Sequence, residues 1–187
     1  MKSFESKPWV LPQPVLILGT YGKDGKANAM NAAWGGQWDM HEIFISLGSH
    51  ATTDNLSVNS CLTVGFATTD SLVAADYVGL VSGRNTPDKM ERTGWTVVKA
   101  PNINAPVFEQ LPMTLECRVK KMLDVSETGC YLIAEIVNVL CNEAYLGADG
   151  QPDVERMRLI SYDPVHHGYI ELGLTVGKAF SAGKALK

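Results

Sequence analysis

Long hydrophobic runs are missing from this 187-residue sequence, and none approaches the ~20 apolar residues that a helix needs to cross a bilayer. The first residues, MKSFESKPW, lack the apolar core of a secretory signal peptide. An excess of basic charge is also missing, because 16 Lys and Arg residues against 20 Asp and Glu residues give a net charge of −4. Nucleic acids and anionic membranes bind basic surfaces. We therefore expect neither as a main partner, and we expect a cytoplasmic location.

Cysteine is sparse, and its spacing carries no redox or metal signature. The chain has no C-x-x-C pair and no zinc-like spacing, so we expect reduced, buried thiols on strands at four positions: Cys61, Cys117, Cys130 and Cys141. His166 and His167 are adjacent, and neighbours in an extended segment point to opposite faces, so we expect no chelating pair and no metal site. The G-x-S-x-G, P-loop and G-x-G-x-x-G motifs are absent, which gives no indication of a hydrolase nucleophile or a Rossmann site.

Length and composition are those of an ordinary globular protein. With 45% hydrophobic and 19% charged residues, a chain of this size can bury a sizeable core as one domain. We expect a single domain over residues 1–187, with an N-terminal arm at 1–13 and a mobile tail at 177–187.

Many short segments have the composition and alternation of strands, and three have helix signals. The predicted helices are one capped by Thr52 or Thr53, one over Ser71–Val81 and one ending at Arg92. In the stretch after Met113, apolar residues alternate with charged ones such as Glu116, which predicts a half-exposed edge strand. Pattern alone predicts an antiparallel barrel or sandwich. The predicted strands are Pro14–Thr20, Ala27–Trp34, Glu42–Gly48, Cys61–Thr68, Trp95–Lys99, a short one near Val107, Met113–Asp124, Cys130–Asn142, Arg158–Tyr162 and Gly168–Leu172.

The stretch from Pro14 to Leu56 holds the strongest functional signal. Its second strand consists of Ala, Asn and Met, whose small side chains let a planar molecule approach the backbone. The third strand leads into Ser49–Asn55, where hydroxyls and an imidazole precede a predicted helix, and free amides at a helix start bind anions. Bare backbone beside an anion site indicates a flat, phosphorylated cofactor.

Three segments together resemble the flavin reductase-like, flavoredoxin-type proteins. They read NAMNAAWGGQWDM, FISLGSHATTDNL and DYVGLVSGRNTPDKMERTGW, and the likeness extends from about Pro12 to the DPVHHGYIELG segment. The resemblance implies a mainly β fold, an FMN-binding split β-barrel of antiparallel, Greek-key-like topology with two or three short helices. It also implies a homodimer with the flavin site at the subunit boundary.

The resemblance also implies roles for specific residues. The FMN phosphate would lie at the bend formed by Ser49, His50, Thr52 and Thr53, although such residues can simply cap a helix. The ring would lie against Met30, Asn31, Ala32, Ala33 and Trp34, which could instead be an ordinary central strand.

Further residues complete the implied site. The ribityl chain would pass Ser46, Leu47 and Gly48, and Arg84 or Lys89 would neutralise the phosphate unless they lie in a solvated loop. His167 or Tyr169 could cover the open face of the flavin, possibly from the other subunit.

These features predict an FMN-dependent oxidoreductase that passes a hydride or electrons from NAD(P)H through the flavin. No side chain is required as an acid or base, so no catalytic residue is assigned. The alternatives are a flavoredoxin-type electron carrier supplied by a redox protein and a non-catalytic flavin-binding module.

Overall fold

Apolar and small residues between Leu16 and Cys141 build one seven-stranded antiparallel sheet in the computed structural model, which describes residues 1–186. Its strand order is β3-β2-β6-β9-β10-β5-β4. The strands of this sheet are β2 (Leu16–Tyr21), β3 (Ala27–Ala32), β4 (Gly35–Asp39), β5 (Glu42–Gly48), β6 (Cys61–Phe66), β9 (Met113–Ser126) and β10 (Gly129–Cys141).

Two smaller sheets accompany it. A three-stranded sheet joins β1 (Gln13–Pro14), β11 (Ile160–Asp163) and β12 (Gly168–Glu171), and a two-stranded sheet joins β7 (Val97–Lys99) and β8 (Pro106–Phe108).

The helices are short and lie between the strands. They are α1 (Ala51–Leu56), α2 (Leu72–Leu80), α3 (Lys89–Thr93) and α4 (Val154–Met157), with 3₁₀ turns at Glu143–Tyr145 and Ala182–Leu186. Gly94 ends α3 in the left-handed conformation, with φ of 67°, which glycine adopts without a Cβ clash.

β3, at one end of the large sheet, contacts β5, the neighbour of the other end strand, and we call this contact the seam. The chain passes from β3 into β4 through Ala33 and Trp34, and the Ser46 amide donates to the Trp34 carbonyl at 2.7 Å. A Cβ on Gly35 would lie 2.8 Å from the carbonyl oxygen of Phe44, so only glycine fits this crossing. The seam brings the small-residue strand beside the end of β5 and the start of α1.

The predicted fold class is confirmed, because the chain is mainly β and its sheets are antiparallel. The long hairpin of β9 and β10 matches its predicted bounds within two residues. The segment after Trp34 was predicted as a loop, but residues 35–39 form β4, since their backbone pairs with β5. The sequence pattern also gave no signal for α4.

Two further predictions of local structure are wrong. α1 begins after His50, and Thr53 lies inside its first turn, where its hydroxyl accepts from the His50 amide at 3.0 Å. His166 and His167 lie in the turn between β11 and β12 rather than in an extended segment. The turn places His167 at φ of 57°, and it hydrogen-bonds Tyr162, while His166 bonds Asp163.

The predicted edge strand is in fact central, because β9 pairs with β6 on one side and β10 on the other. Glu116, expected on the exposed face, is fully buried. Its carboxylate accepts hydrogen bonds from the Asn102 amide at 2.9 Å and from the side-chain amides of Asn102 and Asn138 at 2.6 Å each. Burial alone would raise the pKa of Glu116, but these donors lower it below the ordinary value.

All four cysteines are free thiols on strands. Cys117 and Cys130 are buried, as expected, whereas Cys61 and Cys141 are only half-buried. Burial raises the pKa of Cys117 to about 12, so it is an unreactive core thiol.

Across residues 1–186, no helix combines the length and the apolar character that a membrane span requires. The cytoplasmic location stays a prediction.

Replacing Glu116 with Gln tests the buried carboxylate. We expect Glu116→Gln to lower the free energy of unfolding by about 2 kcal/mol at neutral pH, since hydrogen bonds to a charged group contribute roughly 1.5–3 kcal/mol. Because the folded pKa lies below the unfolded one, this stabilisation is complete above about pH 4.3 and is lost as the pH falls through the folded value. Urea unfolding across that range measures both effects. Glu135→Gln, on the exposed face of β10, is the control, and equal losses in both variants would contradict the assignment.

Candidate functional site

Three cavities surround the bend between β5 and α1. The helix cavity, about 200 Å³, lies between β3, the bend and the end of α2 and is lined by Asn28, Met30, Asn31, His50, Ala51, Thr52 and residues 78–83. The lysine cavity, about 170 Å³, adjoins it through Asn28, Ala51 and Gly83 and also contains Lys89. The tryptophan cavity, about 470 Å³, is lined by Trp34, residues 46–48, Asp124, Ser126, Thr128 and residues 129–131. The bend therefore faces open space rather than packed side chains.

Glycines set the width of the helix cavity. A Cβ on Gly83 would lie 2.5 Å from the side-chain oxygen of Asn28, and one on Gly79 would lie 3.1 Å from the Cβ of Asn31. The end of α2 and the loop after it can therefore approach β3 closely only without side chains. On the other side of the bend, a Cβ on Gly48 would lie 2.8 Å from the His50 ring. The His50 ring thus lies over Gly48, where the helix and tryptophan cavities come together.

Arg84 fastens the bend to the loop after α2. Its guanidinium donates to both carboxylate oxygens of Asp54, at 2.7 and 2.8 Å, and also to the carbonyls of Ser49 and His50 at 3.3 Å. The hydrogen bond from Arg84 lowers the pKa of Asp54. Because its charge is balanced by Asp54, Arg84 positions the backbone of the bend more than it adds free positive charge.

Lys89 is a buried cation that forms no salt bridge among the described residues, and Asp24, which also lines the lysine cavity, pairs instead with Lys26 at 3.9 Å. Only 4% of its surface is exposed, and its ammonium donates to the Val78 carbonyl at 2.9 Å. An ammonium has three donors, so one such bond leaves it under-satisfied. Burial lowers the pKa of Lys89 to about 8, which still leaves it mostly charged at neutral pH.

The pKa of His50 indicates the electrostatic potential beside the helix cavity. Burial lowers its pKa first, and the positive charges of Arg84 and Lys89 lower it further. Both cations therefore act on the same point beside the helix cavity. This field favours an anion.

The predicted hydroxyls of the bend have structural partners. Thr52 is buried and accepts a hydrogen bond from the Asn28 side chain at 3.0 Å. Thr53 hydrogen-bonds the backbone of His50 in both directions, and the Ser49 hydroxyl lies 3.2 Å from the Arg84 guanidinium. The structure thus brings these residues together at the cavities, but with Thr52 and Thr53 holding the bend in shape.

The predicted ring-facing strand divides between two environments. Met30 and Asn31 line the helix cavity, and the Asn31 amide donates to the Ala75 carbonyl in α2 at 3.0 Å. The Ala32 side chain packs into the core, so its main chain is the part that can face a ligand. Ala33 is half-buried, and Trp34 is 58% exposed at the edge of the tryptophan cavity.

Ser46, Leu47 and Gly48 line the tryptophan cavity together with Trp34, as neighbours of the bend. Tyr169 is half-buried and donates to Asp76 of α2 at 2.6 Å. Burial is the first cause that raises the pKa of Tyr169, followed by Asp76. His167 is exposed and bonded to Tyr162, so neither residue lines the three cavities within one chain.

Asn28, Gly79 and Gly83 are site residues that the sequence analysis did not single out. Asn28 lies in the predicted strand Ala27–Trp34, two residues before the predicted ring contacts begin at Met30, and it lines both the helix and lysine cavities. Gly83 fits the place of a helix terminator, and Gly79 falls inside the predicted helix Ser71–Val81. Their approach to β3 depends on tertiary contacts that no local pattern encodes.

Comparison with known proteins gives a consistent picture. The flavin reductase-like domain matches residues 10–153. Among solved structures, a flavoredoxin of Desulfovibrio vulgaris (Miyazaki F) is 31% identical and superimposes with a TM-score of 0.91 over 98% of this chain and 99% of that one. A flavoredoxin from Methanosarcina acetivorans is 27% identical, with a TM-score of 0.89 over the whole of both chains. Nitrilotriacetate monooxygenase component B from Bacillus cereus, 18% identical with a TM-score of 0.78 over 95% and 98%, shares the fold.

The burial of Lys89 predicts that its positive charge lowers the free energy of unfolding. We expect Lys89→Met to raise the free energy of unfolding by about 1–3 kcal/mol at pH 7, because each unit of a lowered pKa corresponds to ~1.4 kcal/mol. The pKa of Lys89 is lower in the folded than in the unfolded chain, so the unfolded chain binds more protons between about pH 8 and about pH 10.4. Over that range the free energy of unfolding of the wild type therefore rises relative to that of Lys89→Met. Urea titrations at several pH values measure the difference. Lys23→Met, at an exposed turn, is the control, and a destabilised Lys89→Met protein would contradict the prediction.

Proposed function

This chain belongs to the flavin reductase-like domain family, and from that premise we propose that it is an FMN-dependent oxidoreductase that takes a hydride or electrons from NAD(P)H. The observation that carries the proposal is the buried cation Lys89, which forms no salt bridge among the described residues, beside a cavity that Asn28, Met30 and Asn31 of β3 line. A phosphate group and a flat ring are the two parts of a ligand that match these two features.

The residues present fit FMN. The helix and lysine cavities adjoin, and together they reach the lower end of the roughly 300–1,000 Å³ typical of small-molecule sites. The Lys89 ammonium and the side-chain amides of Asn28 and Asn31 supply donors for a phosphate and a hydroxylated chain. Asp24 also lines the lysine cavity, where its carboxylate pairs with Lys26 at 3.9 Å. The cradle exists because Gly79 and Gly83 carry no Cβ.

In this proposal Lys89 binds the phosphate, and Arg84 holds the Ser49–His50 backbone in place through its bonds to both carbonyls. His50 lies between the phosphate end and the tryptophan cavity, where a proton on its ring would be favoured once an anion offsets the two cations. The main chain from Asn31 to Trp34 lies along the ring, with Ser46–Gly48 beside the ribityl chain.

When bound, FMN supplies the redox chemistry, accepting a hydride from a nicotinamide and passing electrons onward. The protein orients the two rings and excludes water. No acidic or basic side chain is assigned a proton-transfer step.

A second candidate is a flavoredoxin-type electron carrier that receives electrons from a redox protein. Its support is the likeness to two flavoredoxins at 31% and 27% identity over nearly the whole chain. A carrier needs the flavin but does not need a nicotinamide to reach it.

We also propose that the protein is a homodimer whose interface lies on the outer face of β4, β5 and β10. This aromatic face consists of Trp38, Phe44 and Tyr131, whose rings follow one another at centroid distances of 5.9 Å, with Trp34 beside them. Trp34 and Trp38 are each 58% exposed, and Tyr131 is 43% exposed. Aromatic residues are enriched at protein interfaces, and an exposed cluster of them indicates a partner.

The decisive experiment is anaerobic mixing of the FMN-loaded protein with NADH or NADPH while the flavin absorbance is followed. Rapid bleaching is the expected result, and persistent colour with both nucleotides but reduction by a redox protein favours the carrier.

Lys89→Met should weaken FMN binding roughly tenfold to a hundredfold, the loss expected for one hydrogen bond to a charged group. Lys23→Met serves as the matched control. A wild-type protein that gains no thermal stability from added FMN would overturn the proposal.

The dimer proposal predicts light scattering at twice the 20.3 kDa chain mass at micromolar concentration. We expect Trp38→Lys to shift the protein towards monomer, because a charge in an apolar interface loses its hydration. Val73→Lys is the matched control, since Val73 is 80% exposed on α2, outside the aromatic face. A wild-type monomer, or equal behaviour of the two variants, would contradict this interface.

A further inference from the structure

The C-terminal segment from Leu172 to Leu186 carries apolar side chains that its own chain does not cover. Leu174 is 78% exposed and Leu186 is 94% exposed, while Val176 and Phe180 are fully exposed. Burying such side chains stabilises a protein relative to leaving them in water. Isolated exposed apolar residues are ordinary, but four in one short segment form an uncovered surface.

The segment nevertheless has a defined path. The Thr175 amide donates to the Glu155 carboxylate at 2.8 Å, which tethers the segment where it leaves β12. Beyond the tether, the Ala182 amide bonds the Lys178 carbonyl at 3.0 Å and starts the 3₁₀ turn at Ala182–Leu186. The tether orders the segment while its apolar side chains point away from the body of the chain.

The positive charge of the C-terminal segment favours docking on an acidic surface. Residues 172–187 contain three lysines and no acidic residue, a charge of +3, so the net charge of −4 leaves −7 on residues 1–171. A basic, apolar segment and an acidic body are complementary between two copies of this chain. In a two-fold dimer each copy gives one segment and receives one.

The tryptophan cavity has the matching chemistry. The rings of Trp34 and Tyr131 border it, Ser46, Ser126 and Thr128 contribute hydroxyls, and Asp124 is the one charged residue in its lining. Its volume of about 470 Å³ can accept an aromatic side chain, and it borders the aromatic face.

We propose that the C-terminal segment docks on a second copy of this chain, with Phe180 in the partner subunit's tryptophan cavity and Lys178 near its Asp124. Each flavin site is then completed by the other subunit. This inference rests on the proposed function for the flavin, but the docking itself does not require bound FMN.

Photo-crosslinking tests the docking without flavin. A benzoylphenylalanine replaces Phe180 in the full-length protein, and illumination should give a covalent dimer whose linked peptide contains Trp34 or Tyr131. The same group in place of Val73, which is also apolar and is 80% exposed but lies on α2, should give little covalent dimer. Crosslinks within one chain, crosslinks to another surface, or no crosslink at all would each overturn the proposal.

Complementation tests whether the segment acts between subunits. Val176→Ser/Phe180→Ser should weaken FMN binding at least tenfold, as should Lys89→Met. Mixed dimers of these two variants restore one intact site, which combines Lys89 of one chain with Phe180 of the other, so their FMN stoichiometry should rise to half that of wild type. Mixed dimers that bind no better than either parent would overturn docking between subunits, while FMN binding by the wild type would still support the proposed function.

Discussion

The close approach of glycine backbone to β3 is the constraint on which the rest of the site depends. Gly79 and Gly83 let the end of α2 lie against Asn31 and Asn28, and Gly48 lets the His50 ring lie over β5. These contacts determine the width of the cavities and the direction of the bend. A methyl group at Gly83 would have to displace the Asn28 side chain, which in turn holds buried Thr52.

Two cations near the bend have different physical roles because only one has a counter-ion. Arg84 forms a two-pronged pair with Asp54 and bonds the carbonyls of the bend, so its contribution is chiefly geometric. Lys89 is buried against a single carbonyl, and the resulting cost in stability is consistent with its proposed role in binding an anion. Residues at such sites are often worse for the empty fold than an apolar replacement would be.

Two exposed apolar surfaces remain unpacked in the single chain. The rings of Trp38, Phe44 and Tyr131 form a continuous face, and the C-terminal segment presents Val176 and Phe180 to solvent. The buried carboxylate of Glu116, by contrast, is satisfied by amide donors. The uncovered apolar exterior is the basis for proposing a second copy.

The sequence alone determined the fold class, the long hairpin and the group of residues at the bend, because strand alternation, turn residues and family motifs are local signals. Tertiary structure decided that β9 is central, that Glu116 is buried among Asn102 and Asn138, and that residues 35–39 form β4. It also decided that Arg84 is paired while Lys89 is not. Strand order, counter-ions and burial depend on residues far apart in the chain, and a pattern read along one segment carries no information about which distant segment will lie against it.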